Sequence, residues 1–252
     1  MREAYSRFRN IAILWSIGKD STTLLWLCRK AFFGKIPFPV VHIDTSFKFK
    51  EIYEFRAKYA KEWGLDLQVS KNTAALEKGT CPETGKLECC TALKTEALKD
   101  TLKEKDFRAL LLAIRRDEHG IRAKERYFSP RDIDFKWEYK EQPPEFWNMY
   151  KSKIAQEAHL RIHPMLHWTE LDIWRYIYRE KIPIVDLYLA KDGKRYRSIG
   201  CETCCNPVDS DADTIKKMIK ELETTSVAER SGRAQDKEQA YMMQKLRSLG
   251  YM

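Results

Sequence analysis

The stretch Asn10–Phe32, "NIAILWSIGKDSTTLLWLCRKAF", decides the fold. "NIAILWSIG" is an apolar run that closes on Gly18, and "KDSTTLLWLCRKAF" repeats apolar residues at helical spacing, so the stretch reads strand, tight turn, helix. A turn in that place offers the free backbone N–H groups of a helix N-terminus, an anion site. Gly18 lets the backbone approach closely, Lys19 adds a point charge, and Ser16 and Ser21 add hydroxyl donors. The plainer reading is an ordinary strand-to-helix connection. The spacing is not that of the Walker-type phosphate loop, which needs Gly, four residues, then Gly-Lys-Ser/Thr.

The pattern repeats outward. "FPVVHID" is a second strand ending at Asp44, and "KEIYEFRAKYAKEWG" is a helix that Gly64 stops. "DLQVS" is a third strand, "ECCTALKTEALKDTLKEK" a helix, "ALLLAIRRD" a fourth strand and "LRIHPML" a fifth. "TELDIWRYIYREK" is a helix with Thr169 as its N-cap. Strands that are nearly unbroken apolar runs, alternating with helices, predict an α/β fold: a parallel sheet with helices on both faces. After Pro183 the chain turns polar and turn-rich and ends in a helical tail. Residues 1–182 are read as the main domain and 183–252 as a C-terminal extension. "SPRDIDFKWEYKEQPPEFWNMYKSK" has no clear period and reads as a long functional loop.

The chain has 252 residues, of which 43% are hydrophobic and 33% charged. It has no apolar run long enough to span a bilayer and no apolar signal region near Met1, so a cytoplasmic protein without a membrane partner is expected. There, seven cysteines are read as metal or redox chemistry rather than as disulfides. The net charge of +9 favours an anionic partner, nucleotide or nucleic acid, or serves solubility alone. Arg115, Arg116, Arg122, Lys124 and Arg126 follow the fourth strand, at the end where ligands collect in such sheets. Guanidinium groups bind phosphate or sulfate oxygens in pairs. Asp44 and Asp117 are candidates to hold Mg²⁺ with phosphate oxygens, or else to cap the surface.

"LECCTALK" carries Cys89 and Cys90 side by side, and "IGCETCCNPV" carries Cys201, Cys204 and Cys205. Adjacent residues on a helix diverge by about 100°, so Cys89 and Cys90 do not share one core pocket. Cys28, inside the first helix, reads as core. Cys81 and Cys205 are left over, each able to replace a ligand or carry sulfur.

"SIGKDS" resembles the SGGKDS signature of the PP-loop ATP pyrophosphatases, with Ile17 in place of the first Gly. The resemblance implies an adenine nucleotide α-hydrolase-like fold and an ATP site on Ser16, Ile17, Gly18, Lys19, Asp20 and Ser21. In that superfamily the loop grips pyrophosphate while AMP is transferred. "FPVVHIDTSFKFKEIYEFRAKYAKEWG" is similar to the PAPS reductase and sulfate adenylyltransferase branch. "AIRRDEHGIRAKERYFSPRD", "PEFWNMY", "HWTELDIWRYI" and "TTSVAERSGRAQDKEQA" resemble the small subunit of bacterial two-subunit ATP sulfurylase. Cys89-Cys90 with the later CxxC resembles the [4Fe–4S] motif of assimilatory adenylyl-sulfate reductases, which implies Cys89, Cys90, Cys201 and Cys204 as ligands. Four thiolates suit a cubane, and zinc is the rival. The reductases' C-terminal Glu-Cys-Gly-Leu-His segment is missing.

A third class unites these features: [4Fe–4S] ATP pyrophosphatases that adenylate an oxygen so that sulfur can replace it, as in DNA phosphorothioation. On that reading the acceptor is nucleic acid, contacted by the aromatic and basic loop Phe135–Lys153, and a cysteine desulfurase delivers the sulfur. The alternatives are sulfate as acceptor, a reductase-like oxidoreductase, or a non-catalytic scaffold. Assembly as a homo-oligomer stays open.

Overall fold

The computed structural model describes residues 1–137, 142, 144–147, 149–151, 159–233 and 242–250. The elements run α1 (Arg2–Arg7), β1 (Ile11–Leu14), α2 (Lys19–Ala31), β2 (Val40–Ile43), α3 (Lys50–Glu62), β3 (Leu67–Ser70), α4 (Thr73–Glu77) and α5 (Lys86–Cys90). There follow α6 (Ala97–Glu104), β4 (Ala109–Leu111), β5 (Phe128–Arg131), β6 (His159–Ile162), α7 (Glu170–Glu180), β7 (Lys194–Arg195), β8 (Val208–Asp209), α8 (Ile215–Thr224) and α9 (Met242–Ser248).

Strands β1 to β6 form one sheet in the order β3-β2-β1-β4-β6-β5. The strands from β3 to β6 in that order run parallel, and β5 pairs antiparallel with β6. The parallel strands match the expectation, and β5 corrects it. Part of "SPRDID…", read as the start of a loop, is the antiparallel edge strand. Pro130 there breaks the periodic signal, as proline does in strands confined to sheet edges.

Alternate residues of β1 serve opposite faces of the sheet. Ile11, Ile13 and Trp15 join a core with Leu24, Leu25, Ile52 and Phe55 of α2 and α3, and with Ile173 and Trp174 of α7. Ala12 and Leu14 join a second core with Ala97, Leu98 and Leu102 of α6. Two covered faces explain why β1, β2 and β6 are buried at every residue. Apolar residues beyond 183, among them Val185, Tyr188, Ala212 and Met218, belong to the first core.

Chain progression reverses between β1 and β4. In open α/β sheets the crevice at that switch, outside the carboxyl ends of the strands, is where ligands bind. Helix α7 begins with the expected Thr169 cap: Thr169 Oγ1 accepts from Asp172 N at 3.1 Å, and the Asp172 carboxylate accepts from Thr169 N at 2.8 Å. The helix expected from Glu88 is helical throughout but widens to a π turn over Thr91–Glu96. Among the described residues no helix is long and apolar enough to cross a membrane.

Candidate active site

The turn after β1 is built as its sequence suggests, with one exception. Gly18 has an ordinary φ of −74°. Ile17 is the residue in the left-handed region, at φ 69°, a conformation costly for a β-branched side chain. It persists because the Ile17 side chain is 1% exposed and packs in the first core. Ser16 Oγ and Ser21 Oγ lie 3.0 Å apart, Ser21 Oγ donates to Gly18 O at 3.1 Å, and Lys19 N donates to Tyr188 Oη at 2.9 Å.

The cations beside this turn are neutralised from within. Lys19 Nζ lies 3.2 Å from Asp20 and bonds Glu229, a residue far downstream on the C-terminal segment. Arg115, fully buried, donates Nε to Asp20 at 2.7 Å and its Nη groups to Asp117 and Glu229. Glu118 accepts from Arg122 and, at 3.2 Å, from Arg230. Burial opposes charge on Lys19, but Asp20 and Glu229 outweigh it and hold the ammonium above its usual range. Burial also opposes charge on Glu118, yet Arg122 and Arg230 hold that carboxyl below its usual range.

One cleft of about 190 Å³ runs from this turn to the cysteines. Ser16, Gly18, Lys19, Asp20, Ser21, Glu118, Arg122, Glu229 and Arg230 line it toward the turn, and Lys48, Lys94, Gly200, Cys201 and Arg233 also line it. Its floor includes Leu14, Val41, Ile43 and Leu112, at the carboxyl ends of the central strands.

Cys89, Cys90, Cys201 and Cys204 are all buried, and each has others of the set within electrostatic reach. Burial and the neighbouring Cys90 and Cys201 push the Cys89 thiol up to about 12. Burial opposes the thiolate of Cys201 as well, but Lys94, the Thr45 hydroxyl at 3.2 Å, Lys48 and Arg233 pull this thiol below its usual value. Among the described residues no three His, Cys, Asp or Glu side chains stand close enough to hold a single metal ion. Cys205 points elsewhere: its sulfur accepts from Gly200 N at 3.0 Å and Arg233 Nη1 at 2.8 Å. Cys28 is core, as expected, and Cys81 is half-buried. Burial, with Lys94 nearby, pushes Lys48 down to about 7.

The structure therefore brings together Ser16, Gly18, Lys19, Asp20, Ser21, Arg115 and Arg122. Arg115, fully buried, is not itself on the described cleft wall, and Arg116, Lys124 and Arg126 are not on it either. Arg116 donates to Glu125 O at 2.9 Å, Lys124 is exposed, and the Arg126 carbonyl meets His163 Nδ1 at 2.8 Å. Asp44 is also off the wall, taken up by Ser46 N, Tyr53 and Arg56, and Asp117 is held by Arg115 and Glu170 N. Several residues of the cleft escaped the sequence reading, among them Glu118, Glu229, Arg230, Lys48 and Tyr188. Glu229 and Arg230 lay in the recognised block "TTSVAERSGRAQDKEQA", Glu118 in "AIRRDEHGIRAKERYFSPRD" and Lys48 in "FPVVHIDTSFKFKEIYEFRAKYAKEWG", so a signal existed for them; nothing local marked Tyr188. In the loop 135–153, the described Phe146, Trp147 and Met149 are exposed and Phe135 is buried. The remainder of that expectation, like residues 234–240 of the tail block, falls partly or wholly outside the described residues.

Comparisons with known proteins cover most or all of the chain. Residues 10–207 match the phosphoadenosine phosphosulfate reductase domain. Sulfate adenylyltransferase subunit 2 of Shewanella loihica is 42% identical, covering 100% of this chain and 94% of that protein. Its namesake from Psychromonas ingrahamii is 41% identical over 100% and 93%. Among solved structures, the phosphoadenylyl-sulfate reductase of Candida auris matches with a TM-score of 0.57 at 18% identity, over 82% of this chain and 87% of that one. The ATP complex of Candida glabrata FMN adenylyltransferase matches with 0.54 at 21%, over 79% and 54%. These two likenesses concern the fold, a mostly parallel sheet covered by helices. The chain belongs to the phosphoadenosine phosphosulfate reductase domain family, and proteins named sulfate adenylyltransferase subunit 2 are its relatives along its whole length.

Proposed function

We propose that the chain transfers AMP from ATP to sulfate, as the small subunit of a sulfate adenylyltransferase. A sulfate oxygen forms a bond to the α-phosphorus, and the bond to the β-phosphate oxygen breaks, releasing pyrophosphate. The observation that carries this reading is the full-length likeness to proteins of that name, joined to a strand-to-helix turn whose cations open on a cleft. Ser16, Gly18, Ser21 and Lys19 hold the leaving pyrophosphate, and Arg115 and Arg122 offset the charge that builds on it. Mg²⁺ accompanies the phosphates. Asp44 and Asp117, already engaged with cations and N–H donors, are poor ligands for it in this arrangement. A partner subunit follows from the name the relatives carry. From the sequence, DNA is favoured as acceptor by the cysteine motif, the missing reductase segment, the net charge and the loop Phe135–Lys153; the full-length relatives favour sulfate instead, which needs no desulfurase.

The four buried thiols from two segments, with Lys48 and Lys94 nearby to offset thiolate charge, suit a [4Fe–4S] cluster, whose ligands stand wider apart than those of one ion; Cys₄ zinc, the rival, would need the thiols to draw closer than they stand. When bound, the group supplies a fixed charge and a tie between α5 and the loop at Cys201. Iron and zinc content of anaerobically purified protein decides between them; stoichiometric zinc without iron removes the cluster. For the activity, the complex with Mg-ATP should release pyrophosphate only when sulfate is added, and form adenylyl sulfate. Formation of ADP and phosphate, or stimulation by DNA or tRNA instead of sulfate, overturns the reading.

A further inference from the structure

Lys48 is the cation of the cleft whose surroundings call for a ligand. It sits between β2 and α3, and that connection is laced to the cysteine loop. Lys48 and Cys201 form an isolated antiparallel bridge, and Glu202 N donates to Phe47 O at 2.8 Å. The side chain lies 3.1 Å from His42 Nε2, and His42 Nδ1 lies 2.8 Å from Trp15 O. A carbonyl only accepts, so Nδ1 carries the imidazole proton and Nε2 accepts from Lys48. An ammonium has three protons; one is thus directed at His42 and two remain for the cleft.

Lys19, Arg115, Arg122 and Arg230 each have a carboxylate at ion-pair distance. Among the described residues, none lies that close to Lys48. Its neighbours include the like charges Lys94 and Arg56, and Asp44 is held by Arg56, Tyr53 and Ser46 N. A half-buried cation in such surroundings is stabilised by an arriving anion. The phosphates of ATP have the turn at Ser16–Ser21 and its own cations. The second reactant is also an anion, and it must approach a polyanion inside the same cleft. Beside Lys48 the wall adds Ser198 and Gly200.

We propose that Lys48 binds the acceptor oxyanion, sulfate, within the cleft and holds it against the repulsion of the nucleotide's phosphates. The inference rests on the sulfate reading above and adds the residue that recognises the acceptor. Its test uses adenylyl sulfate, AMP and pyrophosphate as separate probes, with binding measured by calorimetry on the wild-type protein, Lys48→Met and Lys48→Arg. The wild type should prefer adenylyl sulfate to AMP. Lys48→Met should lose that preference by about tenfold or more, the scale of a hydrogen bond to a charged group. Its affinity for AMP and for pyrophosphate should stay unchanged, which also shows that the variant is folded. Lys48→Arg should restore part of the preference. If Lys48→Met keeps the preference, or weakens pyrophosphate equally, Lys48 is not the acceptor site. If the wild type itself shows no preference, the sulfate reading has failed before the variant is considered.

Discussion

The turn after β1 and the cysteine loop lie along one cleft and solve the problem of buried charge in opposite ways. At the turn, Lys19, Arg115, Arg122 and Arg230 meet Asp20, Asp117, Glu118 and Glu229, so the formal charges balance before any ligand enters. Near Cys201, Lys48 has no such carboxylate, and the described acidic groups close to it are Asp44, turned toward Arg56, and thiols. Pairing fixes the geometry of the first region, and the proposed binding of phosphate there would require these partners to exchange. The second is held by backbone and packing, and among the described residues no carboxylate stands at ion-pair distance from Lys48, whose acidic neighbours are Cys201 and Asp44.

This contrast breaks most visibly at Arg115. Arg115→Ala leaves Asp20 and Glu229 to share Lys19 alone and Asp117 with only the Glu170 N–H, and loss of about 3–5 kcal/mol is expected in urea unfolding. A loss under about 1 kcal/mol would mean that the carboxylates find water readily and the region is not closed. The backbone of the same turn gives the next effect. Ile17→Ala keeps the left-handed φ and empties core space, at about 2–4 kcal/mol. Ile17→Gly removes more carbon but relieves about 1–2 kcal/mol of backbone cost, so it should cost no more than Ile17→Ala. If it costs clearly more, the turn is not strained there.

On the cysteine side the effects shrink. Burial works against the Asp44 carboxylate, but Ser46 N, Tyr53 and Arg56 hold its pKa below the usual value. The folded state then binds fewer protons than the unfolded one, so this group's contribution is full above pH about 4 and is lost as pH falls below it. Asp44→Asn should therefore flatten the stability profile below pH about 4, and an unchanged profile would show that Asp44 is not held by these partners. The smallest change belongs to Lys48→Met. With no carboxylate left behind, its stability should fall within about 1 kcal/mol of wild type. A loss near that of Arg115→Ala would erase the difference between the two regions.

Local pattern made much of the fold legible. "NIAILWSIGKDSTTLLWLCRKAF" yields its strand, turn and helix because periods of 2 and 3.6 are properties of neighbouring residues. Thr169 is legible as a cap because its partner Asp172 is three residues away. The same locality misled where proline interrupted the period, at β5, and where charge was counted without direction. Arg115, Arg116, Arg122, Lys124 and Arg126 look alike in sequence, yet Arg116 turns to the Glu125 carbonyl and Lys124 to the exterior.

What the sequence by itself determined is therefore the α/β alternation, the strand-to-helix turn at Ser16–Ser21 and the set of thiols. What only tertiary structure decided is which charge meets which: Glu229 on Lys19 across 210 residues, and Lys48 beside Cys201. The physical reason is that helices and strands are selected by interactions a few residues apart. An ion pair in a cleft is selected by chain closure, burial and the exclusion of water, which no short stretch of sequence contains.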